Sequence, residues 1–300
     1  MATTTITHDE FRVLLPKICG RETTVFTDDV INWTPENPLY AHCAVVALVA
    51  QDIFGGNLLR ASLEPYPEFA HMRSHYWNVL PDGKEVDFTE PQFLGHRPQL
   101  VGEPRTRSYV LFDPKTGEPR EIIQRYKLLA FRLSKLRSDN NPLFDDPIYA
   151  SCFSVALDSS CQKMKFGCVI AHNGEIVYRG SNKTIPGLRS LCEPICIRFS
   201  ITSRTESMLG ACGHAEEGMW ELVHSGIPLS ECEIYIAGFF PDLYPWIKKA
   251  REHTCLRCSV QMHNAHLRAI HVPVVDHWES MTTDKALETA RVYATQEKKV

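Results

Sequence analysis

The stretch Cys212-Gly213-His214-Ala215-Glu216 decides how this chain is read, together with a second one, Thr254-Cys255-Leu256-Arg257-Cys258. Imidazole nitrogen and thiolate sulfur are good protein donors for zinc, and three of them leave the fourth tetrahedral position open for water. An open position suits a catalytic site, whereas a closed four-ligand site is structural. His214, Cys255 and Cys258 are therefore candidate ligands of a Zn2+ cofactor. Glu216 lies two residues past the ligand histidine, where a carboxylate can stand beside the metal without binding it and move protons. A structural zinc or a chance spacing is the bland alternative, and it leaves Glu216 without a task.

The surroundings of these two stretches alternate in type. Asp146-Pro147 caps and opens a helix running to about residue 159. Residues 166–171 read as a strand, His172-Asn173-Gly174-Glu175 as a hairpin turn of the Asn-Gly kind, and residues 176–180 as the returning strand. Residues 213–225 read as the helix that carries His214 and Glu216, and 232–238 as a third strand. Residues 255–264 read as the helix of the two cysteines, 268–275 as a fourth strand and 283–295 as a final helix. This order predicts a three-layer α/β/α sandwich on a mixed sheet. Residues 239–253 form an insertion beside the expected site, whose aromatic side chains either cover the site or serve packing or an interface.

His214-Ala215-Glu216 with Cys255-Leu256-Arg257-Cys258 resembles the signature of the zinc-dependent cytidine and deoxycytidylate deaminase superfamily, His-x-Glu with Pro-Cys-x-x-Cys. Thr254 stands where that family has Pro, and Thr can serve there as an N-cap acceptor. The resemblance implies a hydrolase that removes an exocyclic amine from a nucleobase, with Glu216 as its acid–base catalyst. It also implies substrate contacts from the Ala215 backbone N–H, the Thr254 carbonyl and Asn182, the Asn that follows the hairpin. The expected substrate is a small molecule of the cytidine or deoxycytidylate type. A purine or other heterocycle, or a non-catalytic sensor or scaffold holding a structural zinc, are the alternatives. Deoxycytidylate deaminases can carry a second, structural zinc in such a region, and Cys192, Cys196 and Cys212 lie there without an evident fourth ligand. Arg189, Arg198 and Arg204 offer charge for a substrate phosphate or are simply solvated. Homo-oligomers are expected from the superfamily.

The N-terminal half carries a different set. Thr34-Pro35-Glu36-Asn37-Pro38 is a loop by its prolines. Residues 41–56 then read as a buried helix that opens with Cys43 and closes on Gly55-Gly56. A thiol at a helix N-terminus meets the positive end of the dipole, which favours thiolate. Residues 75–80 alternate like a strand, Pro81-Asp82-Gly83-Lys84 is a turn and residues 85–89 return, so pairing places His75 near Asp87. Cys43, His75 and Asp87 have the layout of a thiol-nucleophile triad; the alternative is a small core cysteine. This stretch resembles a small bacterial family called YunG-like, through Cys43-Ala44-Val45, Phe54-Gly55-Gly56, His75-Tyr76-Trp77-Asn78 and Asp87-Phe88-Thr89. The order Cys, His, Asp is also that of transglutaminase- and papain-like folds, which suggests a smaller α+β domain. Residues 120–137 read as an amphipathic helix with Ile122, Tyr126, Leu129, Leu133 and Leu136 inward and Arg125, Arg132, Lys135 and Arg137 outward.

Ser138-Asp139-Asn140-Asn141-Pro142 is a boundary by composition, so the expected organisation is a domain at 1–137, a linker at 138–145 and a deaminase-like domain at 146–300. Three hundred residues at 44% apolar content suffice for two domains. The net charge of −4 argues against nucleic acid as a partner. No apolar run approaches the ~18 residues of a membrane span, and the polar opening Met-Ala-Thr-Thr-Thr-Ile-Thr-His-Asp-Glu does not read as a signal peptide. Eleven cysteines, an odd number, fit a reduced cytoplasmic protein with a metal site better than a disulfide scaffold.

Overall fold

The computed structural model describes residues 6–24, 29–138, 141–188, 212–246 and 254–296. The chain divides into two compact units, Met1–Arg137 and Ser138–Val300. Both are mixed α/β. Among the described residues no helix is long and apolar enough to cross a membrane.

Unit 1 begins with α1 (His8–Ile18), entered through a capping box in which Thr7 and Glu10 satisfy each other's backbone N–H groups. Then come α2 (Asp29–Asn32), α3 (Cys43–Phe54), β1 (Asn57–Ser62), β2 (Ser74–Val79), β3 (Glu85–Val86), β4 (Glu103–Arg105), α4 (Arg107–Leu111) and α5 (Ile122–Arg137). The four strands form one antiparallel sheet in the order β3-β2-β1-β4. Helix α3 is the centre of the unit. Its run Val45, Val46, Ala47, Leu48, Val49 and Ala50 is buried on every side, because a helix apolar all round can only lie inside. It stops at Gly55, where φ is +75°; Gly56 follows at φ +80° with so little room that a Cβ there would lie 2.0 Å from the Val79 carbonyl oxygen.

Helix α5 departs from its expected amphipathic pattern at two places. Arg125 is buried rather than part of a basic outer face: its Nε donates to the Thr23 carbonyl at 2.8 Å and its Nη2 to the Ala41 carbonyl at 2.7 Å. Leu136, expected inward, is exposed. Two loop carbonyls needed a donor, and a long guanidinium supplies both where an apolar side chain cannot.

Unit 2 opens with a 3₁₀ turn, Pro142–Asp145, whose Leu143 and Phe144 are buried. Part of the expected linker is thus packed structure. Helix α6 (Pro147–Ala156) is capped by Asp146 Oδ1, which accepts from the backbone N–H groups of Ile148 at 2.7 Å and Tyr149 at 3.2 Å. Strands β5 (Lys165–His172) and β6 (Glu175–Ser181) form a hairpin across Asn173 and Gly174, at φ +51° and +82°, the sign pattern of a type I′ turn. The short strands β7 (Lys183–Thr184) and β8 (Cys212–Gly213) pair with each other. A 3₁₀ helix, Ala215–His224, stands where an α-helix was expected. It is followed by β9 (Cys232–Phe239), β10 (Pro245–Trp246), α7 (Leu256–Asn264), β11 (Ala269–Val274), β12 (His277–Met281) and α8 (Thr283–Gln296).

The main sheet has the order β12-β11-β9-β5-β6, with β10 also paired to β9. Strands β9 and β11 are parallel, joined through α7, and the remaining pairs are antiparallel, so the sheet is mixed. Alternation along the strands gives each face its own partners. Cys168, Ile170, Ile234, Ile236, Ile270 and Val272 pack against Met219, Leu222, Met262 and Ala286 from the 3₁₀ helix, α7 and α8. Phe239, of the opposite parity on β9, meets Tyr149 and Phe153 of α6. Strand β12 was not foreseen. Its residues, His-Trp-Glu-Ser-Met, lack an apolar alternation, and its place comes from pairing with β11.

Candidate functional site

In unit 2 the parallel strands β9 and β11 deliver α7 to one face of the sheet, and the β7–β8 pair ends at the residue before His214. Three donor atoms meet there: one ring nitrogen of His214 and the sulfurs of Cys255 and Cys258 lie within 4.8 Å of one another. His214 Nδ1 is 3.3 Å from Cys255 Sγ and 3.2 Å from Cys258 Sγ. Zinc bonds of about 2.1 Å to nitrogen and 2.3 Å to sulfur at a tetrahedral angle would set these edges at about 3.6 Å. The donor types and the separations both fit such an ion.

Cys255 is itself the N-cap of α7, with its sulfur accepting from the Cys258 backbone N–H at 3.4 Å. Thr254, expected to take that role, sits one residue earlier and shares a hydrogen bond with Ser259 at 2.7 Å. The hydrogen bond from Cys258, then those from His214, push the Cys255 thiol down to about 4. The same bond to Cys255 pushes Cys258 up, and His214 is raised to about 9, first by its hydrogen bond to Cys255. The Cys255 sulfur is thus the one whose surroundings favour the charged form that a metal takes.

Glu216 is buried, and its charge is felt at both His214 and Cys258. Ala215 is buried at the start of the 3₁₀ helix. Asn182 is buried too, but its amide is engaged: Oδ1 accepts from Phe166 N and Ser159 Oγ, both at 2.7 Å, while Nδ2 donates to the Met164 carbonyl at 2.9 Å and meets Cys161. A substrate contact at Asn182 therefore requires one of these bonds to be given up. Glu217, which the sequence reading passed over, accepts from the His214 backbone N–H at 3.1 Å and pairs with Arg257. Its position three residues after His214, the spacing of a capping box, was the available signal. Cys192, Cys196, Arg189, Arg198 and Arg204 lie outside the described residues, as does the second half of the insertion, 247–253.

Unit 1 brings its own three residues together. Cys43 is the first residue of α3 and is buried, with its sulfur 3.9 Å from the carbonyl of Ser74, the residue before His75, and close enough to His75 to favour charge on its ring. His75 is fully buried on β2 between Trp77, parallel at 5.7 Å, and Phe93, edge-on at 4.9 Å. Its Nε2 donates to Asp87 Oδ2 at 2.7 Å. Asp87 lies just past the end of β3 rather than within a returning strand, and its carboxylate also accepts from Arg97 Nε at 3.1 Å and from Thr89 N and Oγ1 at 2.9 and 3.1 Å. Burial opposes the ionised carboxylate, but these donors hold it below its usual range. Burial likewise opposes charge on His75, yet the hydrogen bonds and charges of Asp87 and Cys43 raise it to about 9.

A fourth residue joins this set without any sequence signal. Gln92 follows Asp87 by a short 3₁₀ turn, Glu90–Phe93, and its Nε2 donates to His75 Nδ1 at 3.0 Å. His42, beside Cys43, has other partners: its ring lies 2.7 Å from both the Tyr40 carbonyl and Thr23 Oγ1.

Residues 7–137 match the family model described as YunG protein. The match falls within unit 1 and includes Cys43, His75, Asp87 and Gln92. No curated protein matches the chain.

Proposed function

We propose that unit 2 is a zinc-dependent hydrolytic deaminase acting on an amino-bearing nucleobase in a small molecule, of the cytidine or deoxycytidylate type. The observation that carries this reading is the convergence of His214, Cys255 and Cys258 beside the buried carboxylate of Glu216. A zinc ion bound by these three residues would supply Lewis-acid activation of a water molecule. In this reading the unit keeps the three-layer deaminase architecture, with helices on both faces of the mixed sheet. The thiolates of Cys255 and Cys258 and the neutral imidazole of His214 would hold the ion and balance its charge. Glu216 takes the proton of the attacking water, passes one to the ring nitrogen and then one to the leaving amine, which departs as ammonia. The Ala215 N–H and the Thr254 carbonyl lie on the two ligand-bearing segments, where they would orient the base. A reduced cytoplasmic setting and a homo-oligomeric assembly belong to the same reading; among the described residues no cysteine is in a disulfide.

A second reading, a structural zinc in a non-catalytic scaffold, is favoured by the fully engaged amide of Asn182. Purified full-length protein with measured zinc content, assayed for ammonia release on a panel of bases, nucleosides and nucleotides, separates the two. Activity on one class, lost by several orders of magnitude in Glu216→Gln at unchanged zinc content, supports the deaminase. Zinc at one equivalent with no ammonia from any compound supports the scaffold.

A further inference from the structure

We propose that Cys43, His75 and Asp87 form a second catalytic centre, a thiol site in unit 1 that transfers or hydrolyses the acyl group of an amide or thioester. The inference rests on unit 1 alone and stands apart from the deaminase reading of unit 2.

Three observations carry it. The first is the chain of contacts from sulfur to ring to carboxylate. Cys43 Sγ lies 3.9 Å from the carbonyl of Ser74, the residue before His75, and favours charge on the His75 ring, whose Nε2 donates to Asp87 at 2.7 Å. A core cysteine needs no imidazole, and a redox thiol needs no imidazole held by a carboxylate. A proton-transfer cycle needs both, because the carboxylate fixes the tautomer and stabilises the imidazolium. The second is placement. Cys43 opens a helix of 12 residues, at the positive end of its dipole.

The third is Gln92. It is 97% buried, being 3% exposed, and its Oε1 has no partner among the described residues, while its Nε2 rests on His75 Nδ1. A buried amide oxygen left without a donor costs stability unless something uses it. With Nε2–H committed to Asp87, Nδ1 is the acceptor that receives the Cys43 proton. Once Nδ1 carries that proton, Gln92 can present Oε1 to it by turning its amide over. Gln92 is thus a positioning residue that serves both protonation states of the ring.

The chemistry balances without a co-reactant beyond water. The Cys43 thiol proton passes to His75, and sulfur attacks the substrate carbonyl carbon to form a C–S bond. The C–N or C–S bond of the substrate breaks as His75 returns the proton to the leaving amine or thiol. Water, or an amine in a transfer reaction, then cleaves the thioester with His75 as base, and the thiol is restored.

The test uses the zinc-loaded full chain with p-nitrophenyl acetate as the acyl probe and iodoacetamide as the thiol probe. The expected result is a burst of one p-nitrophenolate per chain, with the acetyl group mapped to Cys43 by mass spectrometry and absent in Cys43→Ala. Iodoacetamide should label Cys43 in the folded protein, about tenfold or more slowly at pH 7 in His75→Gln. Gln92→Ala should retain labelling but shift its pH profile, which a merely structural role would not do. Where His75→Gln fails to fold by circular dichroism, Asp87→Asn provides the same comparison. No acetyl group on Cys43, or labelling as fast in folded His75→Gln or Asp87→Asn as in the native chain, overturns the proposal.

Discussion

Glu217 and Arg257 form an ion pair that ties the two ligand-bearing segments of unit 2 together. The other carboxylate oxygen of Glu217 holds the backbone N–H of His214 at 3.1 Å, and Arg257 lies between Cys255 and Cys258. The pair therefore sets how far the imidazole stands from the two sulfurs. Groups that orient ligands in this way typically contribute about 10–100-fold to metal affinity. Glu217→Gln and Arg257→Met should each weaken zinc binding within that range while leaving the fold intact. Competition with a chromophoric chelator measures it, and affinities equal to the native value would remove Glu217 and Arg257 from the metal centre.

Buried Arg125 makes a second prediction. Its loss leaves the carbonyls of Thr23 and Ala41 without their donor. Arg125→Met should destabilise unit 1 by about 3 kcal/mol, the order expected for two orphaned buried acceptors. The exposed Lys84 of the same unit, changed in the same way, should cost less than about 0.5 kcal/mol. Urea denaturation of the full chain, followed by a probe confined to unit 1, compares them.

Two buried histidines of unit 1 should respond to pH in opposite directions. His42 is depressed to about 4 by burial, so the stability tied to its neutral ring is present above about 6.5 and falls as pH drops from there through 4. Its full effect is about 3 kcal/mol. His75 is raised to about 9, so its contribution is present below about 6.5 and is lost as pH rises through 9. Thermal scans from pH 4 to 10 should show the acid limb softened in His42→Gln and the alkaline limb softened in His75→Gln. The reverse assignment would contradict both environments.

The close approach of β5 to α6 is strict at one residue. A Cβ on Gly167 would lie 1.8 Å from the Cys152 carbonyl oxygen, which cannot move without breaking the helix. Gly167→Ala should therefore destabilise unit 2 by about 3 kcal/mol. Gly174→Asn, at an open turn position with φ +82°, should be nearly silent because Asn tolerates that region. Chemical denaturation of the two variants checks the contrast.

What the amino-acid sequence determined by itself is local. The start of α3 at Cys43, its stop at Gly55, the Asp146 cap and the Asn173-Gly174 turn each follow from one or two residues whose backbone preference or side-chain reach acts within a turn of chain. The pairing of a His-x-Glu with a Cys-x-x-Cys was also visible, because metal chemistry restricts which side chains recur together. Only tertiary structure decided the rest. Residues 215–224 form a 3₁₀ helix rather than an α-helix, β12 exists because β11 offers an edge, and Arg125 turns inward because two distant carbonyls await it. Gln92 and Asp87 come together on His75 from beyond the strand ends. In each case the deciding partner is supplied by another segment of the fold, and hydrogen-bond demand from a distant backbone leaves no mark on local residue preference.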